Sequence, residues 1–173
     1  MKKIKLLLLD SNVVITLCEL GLWNKVLNRC DIHLAGSIIE DEALYYRDGQ
    51  GSEHPIDLSA DIASGELTRY DVDASDVHAF KNRFRPGYFD ALHAGESESL
   101  AYLVTCKEEF TICSGDKIVY RVLGALLLKD RGISLEEVLQ QIGESPKVNY
   151  EYSKRYREHW SGEGFREGLQ GMA

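Results

Sequence analysis

The run Ile4-Lys5-Leu6-Leu7-Leu8-Leu9, ended by Asp10, constrains this chain more than any other feature. A short apolar stretch of strand length, with little polar alternation, reads as a strand buried on both faces, the kind that parallel sheets use. An acid directly after it lies at the strand's C-terminal end, the edge where open α/β sheets gather their ligands. A carboxylate near a core demands a partner. The chain supplies Glu40, Glu42, Glu96, Glu98 and Asp116, but no comparable run of Lys or Arg at matching strand ends. Acids converging on one rim repel each other unless a cation holds them. Hard oxygen donors in this number suit Mg²⁺ or Mn²⁺ rather than zinc, which calls for His or Cys.

At 173 residues the chain is long enough for one domain with a real core and a short appendage. The composition shifts after Gly143, so residues 1–143 read as the domain and 144–173 as an extension, helical or partly disordered, with Trp160 and Phe165 as isolated anchors. Cys18, Cys30, Cys106 and Cys113 are far apart, without metal-finger spacing, and read as reduced thiols. Lys2, Lys3 and Lys5 before the leucines mimic a secretory signal, yet the apolar part stops at Asp10, so a first strand is expected. No run approaches the roughly 20 apolar residues that span a bilayer, and a cytoplasmic protein with no membrane partner is expected. The formal net charge of −8 argues against broad adhesion to nucleic acid, though not against nucleic acid as a substrate gripped locally.

Strand and helix patterns alternate along the chain. Helical spacing over Val13–Glu19 and Leu22–Asn28 precedes a strand at Ile32–Ala35. Ser37 with Glu40 has capping-box spacing for the next helix, and 47–55 reads as a polar surface loop. A strand or extended connector over 67–72 and a helix over 74–84 follow, then an acidic-first-turn helix from Gly95, a buried strand at Phe110–Cys113, an apolar helix over 118–129, and a helix capped by Ser134 and Glu137. That order predicts an α/β fold: a three-layer α/β/α sandwich around a central, mainly parallel sheet.

Four acidic positions share one property, that each lies at a strand end or early in the helix after a strand: Asp10, Glu42, Glu98 and Asp116. Glu40 suits the cap of Ser37, which leaves Glu42 for the site. Glu96 and Glu98 are separated by about 200° on a helix, and Glu98 is preferred. Glu40, Glu96 and Asp90 are secondary candidates.

At these residues the sequence resembles the PIN domains, a family that includes the VapC-like toxins of prokaryotes. The likeness runs from about Lys3 to Arg131 through Leu-Leu-Leu-Leu-Asp10-Ser-Asn, Ser37-Ile-Ile-Glu-Asp-Glu42-Ala, Gly95-Glu-Ser-Glu98-Ser-Leu-Ala and Ser114-Gly-Asp116-Lys. It implies a PIN-like domain over 1–143, in which Asp10, Glu42, Glu98 and Asp116 are catalytic ligands for Mg²⁺ or Mn²⁺ with Asn12 and Ser114 as polar support. The implied activity is hydrolysis of RNA phosphodiester bonds to a 5′-phosphate and a 3′-hydroxyl, with no protein nucleophile. The family often has Thr-Asp-Asp where this chain has Ser114-Gly115-Asp116, and the tail after Gly143 has no counterpart in its pattern.

The substrate expected is single-stranded or loop RNA, because basic side chains interleaved with aromatics hold phosphates and stack unpaired bases. Phe80-Lys81-Asn82-Arg83-Phe84-Arg85, with Tyr88 and Phe89 after it, has that pattern, and Lys117 and Arg121 beside Asp116 are further phosphate candidates. The resemblance extends to the toxin of a toxin–antitoxin pair, in which case a small antitoxin is the expected partner; a homodimer is also expected. The alternative is a catalytically inactive PIN-like binding or scaffold protein. A haloacid-dehalogenase-type phosphohydrolase needs a second acid at position 12, where this chain has Asn.

Overall fold

A computed structural model describes residues 3–8, 10–41, 44–88 and 90–173. The opening apolar run forms strand β1 (Ile4–Leu8), and Asp10 caps the helix that follows, α1 (Ser11–Glu19). Next come α2 (Trp23–Arg29), β2 (Cys30–Ala35), α3 (Gly36–Asp41), the short strands β3 (Tyr45–Arg47) and β4 (Glu53–Pro55), α4 (Ser59–Ser64) and β5 (Leu67–Tyr70). The second half carries α5 (Ala74–Lys81), α6 (Ala94–Thr105), β6 (Thr111–Cys113), α7 (Lys117–Ala125), α8 (Leu135–Gln141) and α9 (Lys154–Leu169).

The fold is α/β, with a four-stranded parallel sheet at the centre of an α/β/α arrangement. The strand order is β5-β2-β1-β6, with Leu6 facing Ile32 on one side and Thr111 on the other. From β1 the chain moves outward through β2 to β5, then returns to place β6 on β1's other flank. The order therefore reverses between β1 and β6, and at such a switch point the loops leaving the two strands part and open a crevice. Because all pairs are parallel, the C-terminal ends of the strands share one edge. The sheet is sealed by helices: Leu6, Ile32, Leu34 and Ile112 are fully buried, as are Val13, Val14 and Leu17 of α1, Leu100 of α6, and Val119, Val122 and Leu123 of α7.

Two local expectations are corrected. The segment expected to be a loop over 47–55 is a β3–β4 hairpin, paired from Tyr45↔Pro55 to Arg47↔Glu53. Its polar, Gly-rich centre is a turn: the Asp48 carboxylate accepts the N–H groups of Gln50 and Ser52, both at 2.9 Å, and Gly51 takes φ +83°. The capping box of Ser37 and Glu40 does not form, because α3 starts at Gly36, two residues earlier than a Ser37 cap requires. The Ser37 hydroxyl donates to Glu98 at 2.5 Å, and Glu40 pairs with Arg69. The capping box of Ser134 and Glu137 does form, opening α8.

The segment after Gly143 folds back onto the domain. Tyr152 is buried, and α9 lies along α7 in the same direction, Gly164 against Arg121 and Gly168 against Ala125. The two backbones touch. A Cβ on Gly164 would run into the Arg121 carbonyl, and one on Gly124 would lie 2.7 Å from the Phe165 nitrogen, so glycine is required where the helices cross. Arg157 of α9 grips Glu137 of α8 with two hydrogen bonds (2.8 and 2.9 Å), and Arg121 of α7 holds Glu167 at 2.6 and 3.1 Å. Among the described residues no helix is long and apolar enough to cross a membrane.

A candidate acid site at the sheet edge

At the switch point a cavity of about 220 Å³ is lined by Asp10, Ser11, Asn12, Ile38, His93, Gly95, Glu96 and Asp116. Asp10 is its most constrained member. One carboxylate oxygen accepts the N–H of Val13 (2.8 Å), which caps α1, and the other accepts the Ser114 hydroxyl and the Gly115 N–H, both at 3.1 Å. Burial nevertheless pushes the Asp10 carboxyl above its ordinary value; the three hydrogen bonds oppose that shift and the nearby Asp116 charge adds to it.

Asp116 owes its position to the Ser114–Asp116 turn after β6. Its carboxylate caps α7 by accepting the Ile118 N–H at 3.0 Å, while its own N–H donates to the Ser114 hydroxyl at 2.9 Å. The fully buried Tyr120 locks the turn from beneath, since its hydroxyl donates to the Ser114 carbonyl (2.7 Å) and accepts the Ser114 N–H (3.2 Å). Ser114 thus supports the site by linking both acids. Gly115 has a separate explanation: the Tyr152 ring lies 2.8 Å from where its Cβ would be. The space that a side chain at 115 would take is filled by the Tyr152 ring of the tail, which leaves room there for glycine alone.

The helix α6 reverses the expected order of its acids. Glu96 lines the cavity and is buried, with one oxygen accepting the His93 N–H at 3.0 Å. Glu98 does not line it. Its two oxygens accept the Ser37 hydroxyl (2.5 Å) and the Val72 N–H (3.0 Å), so it ties α6 to α3 and to the end of β5. Periodicity could separate the two acids but could not tell which side of α6 meets the crevice. Glu40 is exposed and held by Arg69, and Asp90 is exposed after Gly87; neither lines the cavity. Glu42 lies outside the described residues, as do Leu9, Ala43 and Phe89. Asn12, on the first turn of α1, lines the cavity.

Residue-by-residue reading missed His93, Gly95 and Ile38. His93 occupies the N-cap position of α6, a place favoured by polar residues and therefore weakly suggestive. Gly95 lets α6 approach α3, since a Cβ there would lie within 3.0 Å of the end of Ile38. The expected basic–aromatic grip is dispersed. Phe80 is core, Phe84 packs between Phe80 and Tyr88 with centroids 5.6 and 5.7 Å away, and the Tyr88 hydroxyl donates to Glu167 at 2.8 Å. Lys81 is half-buried and Arg83 exposed, while Arg85 approaches Gly171, at the end of α7 opposite Asp116 and roughly 13 Å of helix away. Arg121 is committed to Glu167, and Lys117 sits over the Trp160 ring, 5.3 Å from its centroid.

The side chains around the cavity offer mainly oxygen donors, the carboxylates of Asp10, Glu96 and Asp116, the Asn12 amide and the Ser11 hydroxyl, beside one imidazole, His93, and two of the acids are close enough to feel each other's charge. That chemistry fits a hard divalent cation. Among the described residues no three His, Cys, Asp or Glu side chains already form a metal-holding group. Compared with protein-family models, curated proteins and solved structures, the chain gives no match in any of the three.

Proposed function

We propose that this chain is a PIN-type, metal-dependent endoribonuclease that hydrolyses RNA phosphodiester bonds at the acid cavity. The observation that supports it most is the convergence of Asp10 from β1's end and Asp116 from β6's end on one cavity, joined there by Glu96 of α6. Asp10, Asp116 and Glu96, with Glu42 as a further donor, are the residues that would hold Mg²⁺ or Mn²⁺. The ion, when bound, supplies an acidified water and neutralises phosphate charge.

The chain's own groups do the rest. The Asp10 carboxylate is held by three donors before any substrate arrives, which reduces reorganisation. Asn12 and His93 offer side-chain hydrogen-bonding groups at the rim for phosphate oxygens, and Ile38 gives an apolar wall that limits free water. Acting as a toxin, such a nuclease is restrained by a small antitoxin protein, which co-expression with a genomic neighbour tests.

Cleavage of mixed single-stranded and structured RNAs in Mg²⁺, Mn²⁺ or EDTA is the direct test. Cutting in either metal and none in EDTA is expected, with Asp10→Asn, Asp116→Asn and Glu96→Gln each slowing it about 10²-fold or more. A folded protein that neither cuts RNA nor responds to divalent ions overturns the nuclease reading and favours the inactive binding protein.

A further inference from the structure

Directly beside the acid cavity, the tail assembles what the 80–89 segment lacks. Tyr150, exposed before α9, meets Tyr156 edge-on with centroids 5.4 Å apart. Tyr156 meets Trp160 at 6.1 Å, and exposed His159 packs against Trp160 at 4.9 Å. The row is joined to the site. Lys117, the residue after Asp116, places its ammonium over the Trp160 ring, 5.3 Å from its centroid. Arg155 is exposed four residues before His159, on the same flank of α9, and neither it nor Lys117 forms an ion pair with any described residue. Of the carboxylates nearby, Glu158 lies 3.7 Å from both Lys154 and Arg157, while Glu151 stands beside Tyr150.

We propose that this row of Tyr150, Tyr156, Trp160 and His159, with Lys117 and Arg155, is a binding platform for single-stranded RNA leading into the acid cavity. The proposal rests on the nuclease reading for its substrate but on separate residues for its geometry. Three features favour an unpaired strand. The exposed rings of Tyr150 and His159, braced edge-on by half-buried Tyr156 and Trp160, suit bases that are free to splay and stack, which a duplex denies them. Unpaired cations match the phosphates between those bases. Finally, the platform is continuous with the cavity through Lys117 and Asp116, so a strand lying on it delivers its next phosphate to the acids. An otherwise acidic chain thereby keeps its nucleic-acid affinity local, in keeping with the formal charge of −8.

The test is fluorescence anisotropy of the full-length protein with a labelled 12-nucleotide oligouridine, and with a 12-base-pair RNA duplex, in EDTA so that no strand is cut. The single strand is expected to bind at least about tenfold more tightly than the duplex. Tyr150→Ala, whose ring is exposed and whose circular dichroism spectrum is expected to match the native one, is expected to weaken single-strand binding at least about fivefold. Lys117→Gln is expected to flatten the salt dependence by about 0.7 in log–log slope, the loss of one phosphate contact. Equal binding of strand and duplex, or variants that bind as the native chain does, overturns the platform even if cleavage is observed. Conversely, strand-selective binding lost in Tyr150→Ala upholds it even if no RNA is ever cut, so the two readings fail separately. No RNA binding, with self-association of the protein that Tyr150→Ala abolishes, also overturns it and assigns the face to a second copy.

Discussion

Asp10 is held in a compromise whose sign can be measured. Its folded carboxyl titrates above the ordinary value because burial outweighs three hydrogen bonds. A raised carboxyl contributes stability that is present at low pH and lost as pH rises through the folded value. Asp10→Asn removes that dependence. The melting temperature of the native chain is therefore expected to fall relative to Asp10→Asn as pH is raised from about 4, and Mn²⁺ is expected to narrow the gap at neutral pH, as thermal scans across pH in EDTA and in Mn²⁺ will show. Glu96 and Glu98 divide the roles that sequence spacing could not assign. Glu98→Gln is expected to keep RNA cleavage within a few-fold of native while costing about 1–2 kcal/mol of stability, because the Val72 N–H and Ser37 hydroxyl lose charged acceptors. Glu96→Gln is expected to do the reverse, and urea titrations beside cleavage rates separate the two. Tyr120→Phe removes the hydroxyl that satisfies both backbone groups of Ser114 and should cost about 1–3 kcal/mol by the same titration.

Among the elements, the α7–α9 pair carries the clearest consequence. Gly164 and Gly168 press against the α7 backbone, whereas Gly162 has nothing within 4 Å of a built Cβ. Gly164→Val is expected to force the helices apart and cost about 3 kcal/mol, or roughly 6–12 °C in melting temperature. Gly162→Ala should be neutral or stabilise by up to about 1 kcal/mol, since helix propensity alone is altered. The same docking is acid-labile. Burial pushes Glu137 and Glu167 upward, but Arg157 and Arg121 respectively, with hydroxyl donors, outweigh it and leave both carboxyls below their ordinary value. A depressed carboxyl contributes stability that is present above the unfolded value and lost as pH falls through the folded one. Tryptophan fluorescence, sensitive to Trp160 on α9, is expected to report loosening of the tail below about pH 4. Element identities were readable to within a few residues wherever the signal was local: the apolar β1, the apolar run of α7, the capping box of α8. The β3–β4 hairpin was not, because strands of three residues carry almost no periodic signal and are stabilised by each other.

For the molecule as a whole, a cation that binds only the folded acid cavity must raise global stability. At about tenfold over its dissociation constant Mn²⁺ is expected to add about 1.4 kcal/mol, roughly 3–6 °C, to the native chain and little to Asp116→Asn. An unchanged melting temperature over millimolar Mn²⁺ counts against a metal role for the cavity. The sequence by itself determined the alternation of strands and helices, the parallel sheet and the delivery of Asp10 and Asp116 to one edge of it. Those follow from apolar period and chain direction, which are properties of neighbouring residues. Only the tertiary structure decided that Glu96 rather than Glu98 lines the cavity, that Tyr152 occupies the space beside Gly115, and that Arg121 is spent on Glu167. Each of those outcomes depends on a partner from another element, such as Ser37 for Glu98, 61 residues away in the chain. Spacing within a segment carries no information about which distant group will arrive to claim a side chain, and packing chooses by shape and burial.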